Sequence, residues 1–122
     1  MRLEEYLITV DEKIKEIESL IASSKINKEI DSNLNRGFLK GRIVFVDGSV
    51  LEYMEQVPVE KTKYRFHYMD SENQLILRWD SARHYRDLDT FPFHLHKPEG
   101  VESHTSLNLI EVLDRIEEMV DL

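Results

Sequence analysis

Apolar residues at Leu3, Leu7, Val10, Ile14, Ile17 and Ile21 alternate steps of four and three, which predicts one stripe on a helix of about twenty residues. The charged run "DEKIKEIES" fills the remaining faces. The stripe lasts under three heptads, short of an independent coiled coil, so the helix is expected to lie across a sheet; the alternative is the seam of a homodimer. After "ASSK" the period shortens. "KINKEIDSN" reads as a weak strand with Ile26 and Ile30 on one side. "RGFLKGRIVFV" and "SVLEYMEQVPV" flank Asp47–Gly48, and a two-residue type I′ turn there predicts a hairpin with Val46 opposite Ser49. "KYRFHYMD" and "QLILRWDSA", separated by "SEN", predict a second hairpin. From His84 to Ser103, Pro92, Pro98 and Gly100 predict a long irregular loop. Leu109, Leu113, Ile116 and Val120 predict a C-terminal helix, opened by Asn108 and Glu111 as an Asn-led capping box.

The order of these elements argues for a single α+β domain over residues 1–122. It comprises an N-terminal helix, an antiparallel four- or five-stranded meander sheet, a long His/Pro loop and a C-terminal helix. No repeat, low-complexity tract or second domain is visible.

Alternation within strands turns this outline into two polar faces. The type I′ turn pairs Arg42 with Tyr53 and Lys40 with Glu55, leaving Ile43, Phe45, Val50 and Met54 for the core, with Glu52 as an exception. The second hairpin pairs Arg65 with Arg78 and His67 with Ile76, leaving Tyr64, Phe66, Tyr68, Leu75, Leu77 and Trp79 for the core. Helices on one side of the sheet put both polar sets on the uncovered side. Arg65 directly opposite Arg78 is repulsive, so either Asp80 and Glu55 pair with them or an anion such as a phosphate binds there.

Charge distribution leaves room for that anion. The net charge of −8 comes from the ends. Residues 1–34 hold five Lys/Arg against eight Asp/Glu, and residues 101–122 hold one against six, while residues 35–100 hold ten of each. The middle can therefore face a polyanion. No apolar run approaches the roughly 20 residues of a bilayer span, and "MRLEEYLITVDEK" lacks a secretory pattern, so a cytoplasmic protein with no membrane partner is expected. The absence of cysteine excludes disulfides, thiolate metal sites and a Cys nucleophile.

Four of the five histidines, His67, His84, His94 and His96, lie between residues 67 and 96. His94 and His96 project to one side of an extended segment. His67, His84 or Asp89 offers a third metal ligand, but the spacing matches no recognised metal motif, and no metal or cofactor enters the expected set. The bland reading has Phe91 and Phe93 anchoring the loop while the histidines bond to backbone. The chemical reading is acid–base work near neutrality. A metal-free ribonuclease needs a base for the 2′-OH, an acid for the leaving oxygen and cations for the developing phosphorane charge. Glu55, His67, His94 and His96 are the catalytic candidates; Arg42, Tyr53, Arg65, Arg78 and His84 are the substrate-binding ones. Tyr53, Tyr68 or Tyr85 offers a stacking surface for a base.

Together, "RGFLKGRIVFVDGSVLEYMEQV", "YRFHYMD", "LILRWDSARHY" and "TFPFHLHKPEGV" resemble the TumE-like toxins of bacterial and archaeal toxin–antitoxin modules, over roughly residues 36–118. The most specific parts are Asp47–Gly48–Ser49, Glu55, "YRFHY", Arg78–Trp79–Asp80 with His84, and Pro92 followed by His94–Leu95–His96. The resemblance implies a small cytoplasmic toxin with a cognate helix-turn-helix antitoxin, and RNA cleavage or translational block as the activity. It transfers no catalytic residues. A non-catalytic module or dimeric structural protein, its sheet face docking a protein or nucleic acid, is the alternative.

Overall fold

A computed structural model describes residues 2–31, 33–57, 63–81 and 92–120. The first element is α1 (Leu3–Glu16), with Glu4 and Glu5 in its first turn and Lys13 and Lys15 in its last, both signs favourable to the helix dipole. It buries Leu3, Tyr6, Val10 and Lys13, with Leu7 and Ile14 half-buried beside them. The helix is shorter than the apolar stripe predicts. A 3₁₀ turn at Glu18–Leu20 intervenes, and Ile21 already pairs with Phe45, so sheet bonding replaces another helical turn.

Among the described residues seven strands follow: β1 (Ile21–Asp31), β2 (Arg36–Phe45), β3 (Val50–Val57), β4 (Tyr64–Met69), β5 (Leu75–Asp80), β6 (His94–Lys97) and β7 (Gly100–Ser103). They form one antiparallel sheet in chain order, a meander as expected but with seven strands rather than four or five. The additional pair, β6 and β7, comes from the predicted irregular loop. Pro98 and Glu99 make its turn, and Pro98 lies outside the ladder it cannot donate to. The last element is α2 (Leu109–Met119). Its capping box forms as predicted: Glu111 N–H donates to Asn108 Oδ1 at 2.9 Å, and Asn108 N–H donates to Glu111 Oε1 at 3.2 Å.

Both hairpin registers differ from expectation. The first connection is three residues long, with Gly48 N–H donating to the Phe45 carbonyl and Phe45 N–H to the Ser49 carbonyl, both at 2.9 Å. Gly48 has φ 86° while Asp47 stays at negative φ, so this is a turn closed by a glycine bulge rather than a type I′ turn. Asp47 Oδ1 secures it by accepting from Ser49 N–H at 2.9 Å. Arg42 therefore opposes Glu52, and Leu39 opposes Glu55. That one-residue slip carries Tyr53 and Glu55 to the other side of the sheet. In the second hairpin a three-residue turn, closed by Asp70 N–H donating to the Gln74 carbonyl, moves the register by one, and a bulge between Tyr68 and Met69 moves it by one more, so Arg65 opposes Asp80 and His67 opposes Arg78. Faces survive a two-residue slip, and the expected Arg65–Arg78 repulsion is absent.

Both helices pack on the face bearing Leu39, Ile43, Leu51, Tyr53, Phe66, Tyr68 and Trp79. They are tied to each other by Lys13, whose ammonium lies 2.7 Å from Asp114 and 2.8 Å from Glu117. Tyr6 and Leu109 are tied to the sheet through Glu55.

Candidate functional site

Because the strands are antiparallel neighbours in chain order, directly opposed residues line up in rows across the uncovered face. One row reads Lys25, Arg42, Glu52, His67, Arg78, His96. The adjacent row reads Asn27, Lys40, Met54, Arg65, Asp80, His94. The two rows hold five Lys/Arg against two acids. In a chain of net charge −8 this face is locally cationic, which makes it the surface suited to an anionic partner.

The rows change character along their length. At the β1–β4 end an open cleft of about 450 Å³ is lined by Lys25, Lys40, Arg42, Arg65 and His67, with Glu52 as its one acid among the described residues. Arg42 Nε lies 3.4 Å from Glu52, but both side chains are about half exposed, so that pair is screened and leaves the guanidinium available to a ligand. At the β5–β6 end the face closes in. His94 is 1% exposed and Asp80 7%. Asp80 Oδ1 lies 3.4 Å from His94 Nε2, and Asp80 Oδ2 lies 3.6 Å from Arg78 Nε and 3.8 Å from His96 Nε2. Arg78 Nη2 donates to His96 Nε2 at 3.2 Å, and His94 Nδ1 donates to the Pro92 carbonyl at 3.0 Å.

Burial, reinforced by the neighbouring Arg65 and Arg78, holds His67 below the ordinary His value, against an opposing pull from Glu52. Burial also lowers His96, with Arg78 and His94 adding to it and Asp80 opposing. Both shifts favour the neutral ring, the form in which an imidazole accepts a proton.

The expected site residues thus separate into two groups. The structure brings His67, His94, His96, Arg42, Arg65 and Arg78 onto one face. Tyr53 and Glu55 lie beneath the helices, 4% and 0% exposed. Glu55 instead accepts from Tyr6 Oη at 2.5 Å and from Leu109 N–H at 3.2 Å, joining α1, β3 and the start of α2. Tyr68 faces the core as well, its hydroxyl donating to Ser49 Oγ at 2.9 Å, so neither Tyr53 nor Tyr68 offers a base-stacking surface. His84, Tyr85, Asp89 and Phe91 lie outside the described residues. Asp80 enters from the sequence only as a partner for Arg65 and Arg78, a pairing now seen with Arg78 at 3.6 Å, and Lys25 does not enter at all. Strand alternation alone sets Lys25 and Asn27 on the face opposite Ile26 and Ile30. The meeting of Asp80 with His94 was not legible in that way, because β6 lay inside a predicted loop.

Among the described residues no helix is long and apolar enough to cross a membrane. The family model described as Toxin TumE matches residues 10–121. No curated protein and no solved structure matches the chain.

Proposed function

The chain belongs to the TumE toxin family, and from that membership we propose that its cationic sheet face binds RNA and cleaves it without a metal ion. Membership in a toxin family implies a cognate antitoxin. In this reading that antitoxin is a helix-turn-helix protein that neutralises the toxin.

The observation that carries the reading is the order His67, Arg78, His96 along one row. Neighbouring strands lie about 4.8 Å apart, so the two imidazoles stand about 10 Å apart at their backbones, with a guanidinium between them. A phosphodiester seated on Arg78 and Arg65 has one imidazole on either side. His67, in its neutral form, takes the proton of the 2′-OH as that oxygen attacks phosphorus. Arg65 and Arg78 stabilise the charge on the phosphorane-like transition state. His96, whose side chain is 12% exposed against 1% for His94, donates a proton to the departing 5′-oxygen, leaving a 2′,3′-cyclic phosphate and a 5′-hydroxyl. Drawing Arg78 onto the phosphate removes the guanidinium from His96 and adds an anion nearby. Both changes raise the His96 affinity for the proton it must give. Lys40 and Arg42 hold the flanking backbone.

The test is incubation of EDTA-treated protein with total RNA, mapping of new 3′ ends, and a His94→Ala/His96→Ala variant alongside. Cleavage by the parent to cyclic-phosphate ends, with none by the variant, is the expected result. RNA binding without cleavage by the parent would sink the chemistry and leave the face as a docking platform. Four phosphate contacts by Lys40, Arg42, Arg65 and Arg78 predict a single-strand salt slope of about −3, or roughly fifty-fold weaker binding on going from about 50 to about 200 mM salt. A slope near zero would remove RNA from the proposal altogether.

A further inference from the structure

β6 presents His94 and His96 on one side of the sheet, and β5 places Asp80 directly opposite His94. The donor atoms of these three residues all lie within 4.8 Å of one another. Zinc ligands sit about 2.0–2.1 Å from the ion, so two of them at a tetrahedral angle are about 3.4 Å apart. His94 Nε2 and Asp80 Oδ1 are separated by 3.4 Å, and His96 Nε2 and Asp80 Oδ2 by 3.8 Å. Both separations are long for a hydrogen bond and close to a tetrahedral edge, each to a different oxygen of Asp80; with one donor atom from each residue the set closes to within 4.8 Å.

The surroundings agree with that geometry. His94 Nδ1–H donates to the Pro92 carbonyl, which makes Nε2 the lone-pair nitrogen of the neutral ring and turns it toward Asp80. Metal-bound histidines are oriented by this kind of bond from the remote nitrogen. His96 Nε2 accepts from Arg78 Nη2 and therefore also presents a lone pair. A carboxylate and two imidazole lone pairs converge on one region, and Arg78 is the cation beside it. Its side chain is 28% exposed, which gives it a route out to solvent.

We propose that Asp80, His94 and His96 are three ligands of a divalent transition-metal ion, and that Arg78 competes with the ion for Asp80 and His96. Two imidazole nitrogens and one carboxylate oxygen suit zinc or its neighbours and discriminate against magnesium and calcium, which require oxygen. Three protein ligands leave a fourth position open to water or an anion. The site is independent of the RNA reading, but it shares the His96 ring. An ion on His96 Nε2 occupies the lone pair that a proton would need, so zinc inhibits cleavage in the mechanism proposed above.

Zinc chloride titrated into untagged, EDTA-stripped protein, in competition with a chromophoric chelator and without RNA or phosphate, tests the site directly. One ion bound per chain is expected. His96→Ala and Asp80→Asn each weaken binding by at least about 100-fold, allowing for the direct loss of a ligand beyond the 10–100-fold typical of outer-shell changes. Arg78→Ala tightens binding about tenfold, because it removes a competing positive charge. Thermal unfolding of the His96→Ala protein, whose ring is only partly buried, checks that loss of zinc is not loss of fold. No stoichiometric binding by the parent overturns the site, as does binding unchanged in both ligand variants or weakened in Arg78→Ala. The RNA assay contains EDTA and this one contains no RNA, so either proposal can fail alone.

Discussion

Glu55→Gln probes the buried junction between the helices and the sheet. The Glu55 carboxyl is fully buried. Burial pushes its pKa up from 4.5 to about 7, although the hydrogen bonds from Tyr6 and from Leu109 N–H pull the other way. Between these two values the folded chain holds a proton that the unfolded chain has released. The stability contributed by this group is therefore greatest below pH 4.5, falls as pH rises, and levels off above about 7. A displacement of that size corresponds to about 3 kcal/mol, of which about 2 kcal/mol falls between roughly pH 5.5 and 8. Glutamine cannot ionise. It keeps one acceptor oxygen but turns an amide N–H₂ toward the second donor, at a pH-independent cost of about 1–3 kcal/mol. Urea unfolding of both proteins at the two pH values reads the effect. The variant is expected to gain about 2 kcal/mol relative to the parent on going from about pH 5.5 to 8. A difference between the two proteins that stays constant with pH would refute the assignment of a proton-holding Glu55.

Gly41→Ala places a Cβ 2.6 Å from the Tyr53 hydroxyl and against the Lys25 carbonyl, between two paired strands that cannot spread. A loss of about 3 kcal/mol in urea unfolding is expected, and a neutral result contradicts the packing. Lys13→Met keeps the buried stem but removes the ammonium between Asp114 and Glu117; those carboxylates are 58% and 41% exposed and re-solvate. The expected cost is therefore only about 1 kcal/mol, shrinking at high salt, and a loss several times larger would contradict this reading of the pair. NMR titration of the imidazole rings is expected to find both His67 and His96 below 6.5, with His67 rising in Arg65→Gln. A His67 value at or above 6.5 in the parent contradicts the electrostatics of the face.

Alternation along each segment was enough to place Lys40 with Arg42, and Arg65 with His67, on common faces, because side chains in a strand repeat every two residues whatever surrounds them. The α2 cap was equally legible, since Asn108 and Glu111 act within one turn. Relations between strands were another matter, because they depend on the parity of the connection. Two residues at Asp47–Gly48 would have put Glu55 on the open face; three residues, with the glycine in the bulge, put it under the helices. The second hairpin slipped by two, an even number, and its polar face survived although every partner changed. His94 and His96 were conspicuous as residues but not as a site. Only the pairing of the four-residue β6 with β5 brings them to Asp80, and so short a strand has little pattern of its own until a neighbouring edge supplies its hydrogen bonds.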